Sequence, residues 1–326
     1  MRLLFITSSR IGDAVLSSGV LAQAIAGQPA PHVTIACGAL PAPLFADVPG
    51  LQTIHRLIRR PLGGHWLDLW CACAGRRWDQ VIDLRGSLFA WTLRAGRRRV
   101  CRAEKRCEHR VVELARLLRL PDLPAPCLWV SADRDRRAAL RLGDGGPILA
   151  VGPTANWGAK QWPAERFALA VDRLTSADGI LPDARVAVFA AAAERPAAQP
   201  VLDRIPPGRR IDLVGHDDLL DAFALLRRCR FYVGNDSGLM HMAAAAGIPT
   251  LGLFGPSPEW RYGPWGPAGA VVRTPESFET LVSENPHFDH RRQDTLMAGL
   301  SVDAVVDAAH ALWRRAASNA GSAGCR

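Results

Sequence analysis

Short apolar runs separated by polar turns recur along the chain and alternate with stretches of helical period. Residues 3–7, Leu-Leu-Phe-Ile-Thr, read as a buried strand, and Val15, Leu16, Val20, Leu21 and Ile25 form an apolar stripe that predicts a helix over 14–25. Further strands are expected at 33–36, 53–55 and 81–84, and a helix at 110–120. Pro121, Pro124 and Pro126, then Gly143, Gly145, Gly146 and Pro147, bracket a short arginine-rich helical stretch and mark a linker. Alternation resumes with strands at 148–152, 186–190, 211–214, 231–234 and 250–254, and helices at 164–174, 217–228 and 237–246. A last helix is expected from 301 to about 316, followed by a frayed tail. Such alternation implies parallel sheets covered by helices. The expected fold class is therefore α/β, with two doubly wound domains over 1–143 and 144–326 that face each other across a cleft.

Length and composition agree with that division. The chain has 326 residues, 48% of them hydrophobic and 22% charged, which is the balance of an ordinary globular protein large enough for two domains. Charge is uneven: 22 Lys and Arg against 11 Asp and Glu in residues 1–143 give +11, whereas 18 against 20 in residues 144–326 give −2. The first half is suited to anions. Lys105 and Lys160 are the two lysines beside 38 arginines, so a lysine here stands out as a chemical requirement. Eight cysteines form no C-x-x-C pair or zinc spacing, which fits reduced thiols and a cytoplasmic chain. The apolar stretch after Met1 is too short for a signal peptide, and the uncharged run 239–258 is broken by Gly and Pro. Membrane contact, if any, is thus expected to be peripheral.

Three segments carry candidate chemistry. Residues 232–249, Tyr-Val-Gly-Asn-Asp-Ser-Gly-Leu-Met-His-Met-Ala-Ala-Ala-Ala-Gly-Ile-Pro, end a strand, turn, and open a small-residue helix. Backbone N–H groups there, unobstructed at Gly238, suit a pyrophosphate. Asp236 is either a helix cap or an acceptor for sugar hydroxyls, and His241, one turn beyond Ser237, is either structural or within reach of a ligand. Residues 151–163 form a strand, a polar loop and a helix start, with Lys160 placed to neutralise a phosphate as a point charge. Residues 7–13, Thr-Ser-Ser-Arg-Ile-Gly-Asp, are the first strand-to-helix loop; Asp13 sits where a helix N-terminus keeps a carboxylate ionised, as a cap or as a base that takes a hydroxyl proton.

Other patterns weigh less. Asp133-Arg134-Asp135 imitates an Asp-x-Asp metal motif with no strand before it, and His287, Asp289 and His290 lie in a polar loop. Neither predicts a metal site. Gly-rich dinucleotide and P-loop motifs do not occur. The basic run through Arg94, Arg97, Arg98, Arg99, Arg102, Lys105, Arg106 and Arg110 has sparse aromatic interleaving, so nucleic acid is not expected; the run is either a solvated basic face or one that approaches anionic lipids or a phosphorylated, acidic glycolipid acceptor.

Together the three segments resemble glycosyltransferase family 9, the bacterial lipopolysaccharide heptosyltransferases, almost continuously from 148 to 267 and again over residues 1–25. The resemblance implies a GT-B architecture and an inverting transferase that needs no metal, with an ADP-heptose donor, a lipid A-linked core acceptor and peripheral contact at the cytoplasmic face of the inner membrane. By motif it implies Asp13 as general base and Lys160 as a phosphate contact. Asp236, Ser237, Gly238 and His241 become the donor turn, with Thr154 and Glu194 as further donor contacts and Ser9, Arg10 and Gly12 on the acceptor side. Ala190 to Ala193 stand where the family usually has glycines, and Gly19 where it often has proline. Transfer of another nucleotide-activated sugar, or nucleotide-sugar or nucleic-acid binding without catalysis, are the alternatives.

Overall fold

In a computed structural model, the described residues are 1–323 except 102–103, 105, 216–217, 287, 290 and 292–293, with backbone only over 319–323. Arg102 and Lys105 of the basic run, Asp217, His287, His290 and Cys325 lie outside the described residues. The chain divides into two compact units, Met1–Ala132 and Asp133–Arg326.

The first unit contains β1 (Arg2–Ile6), α1 (Ile11–Ile25), β2 (His32–Cys37), β3 (Leu51–Arg56), α2 (Gly64–Cys73), β4 (Arg77–Asp83), β5 (Arg94–Val100) and α3 (Arg110–Leu117). Its strands form a parallel sheet in the order β3-β2-β1-β4-β5. Leu3, Leu4, Phe5 and Ile6 are wholly buried, as a central parallel strand covered on both faces requires. Gly19 has a packing reason: a Cβ there would stand 2.1 Å from the Pro124 carbonyl oxygen, because residues 124–127 cross α1 closely. The Cys127 amide donates to Ser18 Oγ at 2.9 Å in the same crossing.

The second unit contains α4 (Ala132–Leu142), β6 (Ile148–Gly152), α5 (Ala164–Leu174), β7 (Arg185–Ala190), α6 (Arg195–Arg204) and β8 (Arg210–Val214). It continues with α7 (Leu219–Leu226), β9 (Phe231–Asn235), α8 (Gly238–Ala245), β10 (Thr250–Phe254), α9 (Glu259–Tyr262), β11 (Gly269–Arg273) and α10 (Val302–Ala323). The sheet is again parallel, ordered β11-β10-β9-β6-β7-β8. Its core joins Leu149, Val151, Phe167, Val188, Phe231 and Val233 to Val305, Ala309 and Leu312 of α10. The long final helix is thus part of the fold, and it runs to Ala323 where a tail was expected from 318.

In each unit the strand order reverses once, between β1 and β4 and between β9 and β6. Loops leaving the carboxyl ends of such neighbouring strands diverge and open a crevice. The loops after β1, β6 and β9 carry the three segments singled out from the sequence.

Candidate active site

At the crevice of the second unit, β6 delivers Pro153 and Thr154 while β9 delivers Asn235 and Asp236. Asn235 is wholly buried and ties the two loops together. Its Nδ2 donates to the Pro153 carbonyl at 2.8 Å, and its Oδ1 accepts from the Trp162 amide at 3.1 Å. Trp162 in turn donates from Nε1 to the Leu300 carbonyl at 3.0 Å and meets Phe167 edge-on at 5.0 Å. The Leu296 amide donates to Ala159 at 3.0 Å, and the Thr295 hydroxyl donates to the Gln161 carbonyl. The loop bearing Lys160 is therefore clamped from β9 on one side and from residues 295–300 on the other. Replacing Asn235 with alanine strands a buried carbonyl and a buried amide. At about 1–3 kcal/mol for each orphaned group, the unit should lose about 2–4 kcal/mol, read as a lower urea midpoint at constant slope.

Lys160 sits on a single helical turn, Gly158–Lys160, and its Nζ reaches Asp236 Oδ2 at 2.6 Å. Asp236 is 7% exposed and Lys160 21%, so the pair is shielded but the ammonium still meets solvent. His241 Nε2 lies 4.0 Å from the other Asp236 oxygen, and its side chain is buried under the turn. Asp236 is not a helix cap: the cap of α8 is Ser237, and the carboxylate is engaged by Lys160.

The start of α8 remains partly exposed at Ser237, Gly238 and Leu239, where first-turn amides have no intrahelical acceptor. An ammonium, a helix N-terminus and a carboxylate thus share one crevice, an arrangement chemically suited to a diphosphate with hydroxyls beside it.

One feature of the site, Tyr232, escaped the sequence reading. Tyr232 is wholly buried, and its hydroxyl occupies the space that side chains at Gly152 and Gly234 would need. A Cβ at these glycines would lie 2.1 and 2.4 Å from that oxygen. Burial pushes the Tyr232 phenol up, opposed by the Ser237 hydroxyl and reinforced by the Asp236 and Glu194 carboxylates nearby. Glu194, expected from the resemblance as a donor contact, accepts at Oε2 from Thr154 Oγ1 at 2.8 Å and from the Ala191 amide at 3.0 Å. The structure so brings together Thr154 and Glu194, and separately Lys160, Asp236 and His241 around the start of α8. The Glu194 side chain fixes the exposed turn Ala191 to Ala193.

In the first unit Asp13 lies in the first turn of α1, half-buried, and among the described residues its carboxylate makes no hydrogen bond or ion pair. Ser9 and Arg10 are exposed, Gly12 is half-buried, and Arg10 caps α1 without a side-chain bond. The loop is seated by Thr7 Oγ1 against Ser17 Oγ at 2.7 Å and by Gly38, where a Cβ would stand 2.5 Å from Ser9 Cα. The Asp-x-Asp lookalike has structural partners: Asp133 pairs with Arg136 and Asp135 with Arg228 on α4's flank. No cluster of three metal-ligating side chains occurs among the described residues.

Residues 97–287 match the family described as glycosyltransferase family 9 (heptosyltransferase). The chain belongs to glycosyltransferase family 9. A stretch of 119 residues is 35% identical to lipooligosaccharide heptosyltransferase 2 of Haemophilus influenzae, covering 35% of this chain and 33% of that relative. This family 9 chain thus spans about a third of the length of that curated relative. Several solved structures match nearly end to end. A family 9 glycosyl transferase from Veillonella parvula has a TM-score of 0.75 at 19% identity, over 96% of this chain and 97% of that one. The E. coli ADP-heptose lps heptosyltransferase II has a TM-score of 0.74 at 21% identity, over 97% and 99%. At these identities the likeness establishes the fold, and it is the GT-B class of two Rossmann-like units expected from the sequence. No helix among the described residues is long and apolar enough to cross a membrane.

Proposed function

We propose that this family 9 chain transfers a heptose from ADP-heptose to a lipid A-linked lipopolysaccharide core, with inversion at the anomeric carbon and without a metal. The observation that carries the reading is the Lys160–Asp236 pair at 2.6 Å beside the open start of α8. The acceptor hydroxyl oxygen attacks the anomeric carbon as the bond to the diphosphate breaks, and the hydroxyl proton passes to Asp13. Charge that develops on the departing ADP is met by the Lys160 ammonium and the α8 amides, which are fixed before the reaction begins. Asp236 and Thr154 are assigned to sugar and phosphate contacts, Glu194 to the nucleoside side, and Ser9, Arg10 and Gly12 to the acceptor. The relatives' names, heptosyltransferase 2 and ADP-heptose lps heptosyltransferase II, support the donor and acceptor.

A second reading, transfer of a different nucleotide-activated sugar, is favoured by one observation. Methyl groups line the exposed turn at Ala191 to Ala193, and Gly215 opposite leaves a Cβ position only 2.7 Å from Ala192 Cβ. A panel of ADP, UDP and GDP scored by thermal shift separates the two, followed by turnover of ADP-heptose and UDP-sugars with and without EDTA. Stabilisation by ADP and EDTA-resistant turnover are expected. A response to UDP alone overturns the ADP donor, and loss of turnover in EDTA overturns the metal-free mechanism.

A further inference from the structure

Turning back at β3, the first sheet places its two groups of crossovers on opposite faces, because parallel crossovers are right-handed. α1 covers one face. α2 and the short helical turn Leu88–Thr92 cover the other, burying Leu69, Cys73, Phe89 and Ala90 against Leu4, Ile6 and Val81. Trp66 of α2 lies on Phe89 with ring centroids 5.6 Å apart, so the two segments form one layer. With their inward sides spent on the core, they present Leu67, Trp70, Leu88 and Trp91 to solvent, Leu88 84% and Trp91 56% exposed. Leu62, just before α2, is fully exposed at a φ of 52°. A leucine seldom adopts that left-handed conformation, and here it buries nothing within the chain in return.

The rim of this face is cationic. Residues 56–100 hold ten arginines and three aspartates. All three aspartates are engaged: Asp68 by Arg60, Asp79 by the Arg2 amide at 2.7 Å, and buried Asp83 by Arg85 and Ser87 amides. Arg76, Arg77, Arg94 and Arg98 line a cavity of about 480 Å³ with Gly75 and Gly96. Arg77 and Arg94 are register partners on β4 and β5, and Arg98 follows Arg94 on the same face with Gly96 between them. Like charges held side by side repel, and an anion seated between them removes the penalty.

We propose that this α2 face docks on an anionic bilayer surface, with Leu62, Leu67, Trp70, Leu88 and Trp91 entering the headgroup boundary and the arginine rim holding lipid phosphates. Apolar depth and dense negative charge come together at such a surface, and Trp and Arg side chains suit it because each pairs an apolar body with a polar end. The inference stands independently of the donor assignment.

The test is co-sedimentation of the full chain with vesicles of phosphatidylcholine alone or with one third phosphatidylglycerol. Binding should require the anionic lipid and weaken as salt rises. Arg76→Ser, Arg77→Ser and Arg94→Ser together should weaken it on the order of 100-fold. Trp70→Ser with Trp91→Ser should weaken it at least about 10-fold. These side chains are exposed, so both variants should melt with the wild type. Should either unfold, a polarity-sensitive dye on exposed Cys71 of a chain otherwise changed only by Cys107→Ser and Cys325→Ser decides, by showing a blue shift on anionic vesicles or none. Absent binding, equal binding to both vesicles, wild-type binding by both variants, or a dimer lost in the tryptophan variant would each overturn the proposal.

Discussion

Replacing Lys160 with alanine should weaken ADP binding by about 30–100-fold, the loss of one charge-assisted contact to phosphate. The same change should also destabilise the second unit, because Asp236 is 7% exposed and would be left with the His241 imidazole at 4.0 Å in place of its ammonium partner. Orphaning a buried charge costs about 3–5 kcal/mol, and solvent at a lysine 21% exposed lowers that to about 2–3 kcal/mol. For a unit of this size the melting temperature should fall by about 5–10 °C. The double variant Lys160→Met with Asp236→Asn separates the effects, since it removes both charges. It should recover most of the stability and none of the affinity. Calorimetric titration with ADP and a thermal melt read both quantities; unchanged ADP affinity in Lys160→Ala would take the lysine out of the donor site.

Asp13→Ala should lower turnover by about 10²–10⁴-fold while leaving ADP affinity within about threefold, as expected for a group that acts on the acceptor's proton. The readout is clean because the carboxylate carries little of the fold. Among the described residues it has no hydrogen bond or ion pair, and its interaction with the α1 N-terminus is worth about 0.3–1 kcal/mol. Near-wild-type kcat would remove Asp13 from the role of base, and a parallel loss of ADP affinity would make it a binding residue.

The central strands were legible because burial on both faces writes them as continuous apolar runs. β1, β6, β9 and β10 all appear that way in the sequence. Edge strands do not need such a run. β5, Arg94–Val100, borders the first sheet and tolerates arginines along its length, so its sequence reads as a basic face. β11, Gly269–Arg273, borders the second sheet, and its short apolar run was masked by Gly263, Pro264, Gly266 and Pro267 just before it, which read as a loop. α6 was hidden by Pro196 and Pro200: the first occupies the opening turn, where proline is tolerated, and the second is accommodated inside the helix. α2 was obscured by Gly63 and Gly64 before it.

At the site, Lys160 and Asp236 could each be singled out, one by its rarity and the other by its motif. Their pairing could not, because 76 residues separate them. Asn235 gave only the weak signal of an amide next to Asp236, and Tyr232 none at all. Its hydroxyl explains Gly152 and Gly234, and that explanation requires knowing that β6 and β9 are neighbours.

The clamp on the Lys160 loop bears on how the protein is made. Trp162 and Leu300 stand 138 residues apart in the bond that seats the loop. During synthesis that segment leaves the ribosome long before its anchors exist, while β6 and the other strands around it can already assemble. Contacts so distant along the chain form late. Nascent chains should therefore acquire a folded second sheet before the Lys160 loop is fixed in place.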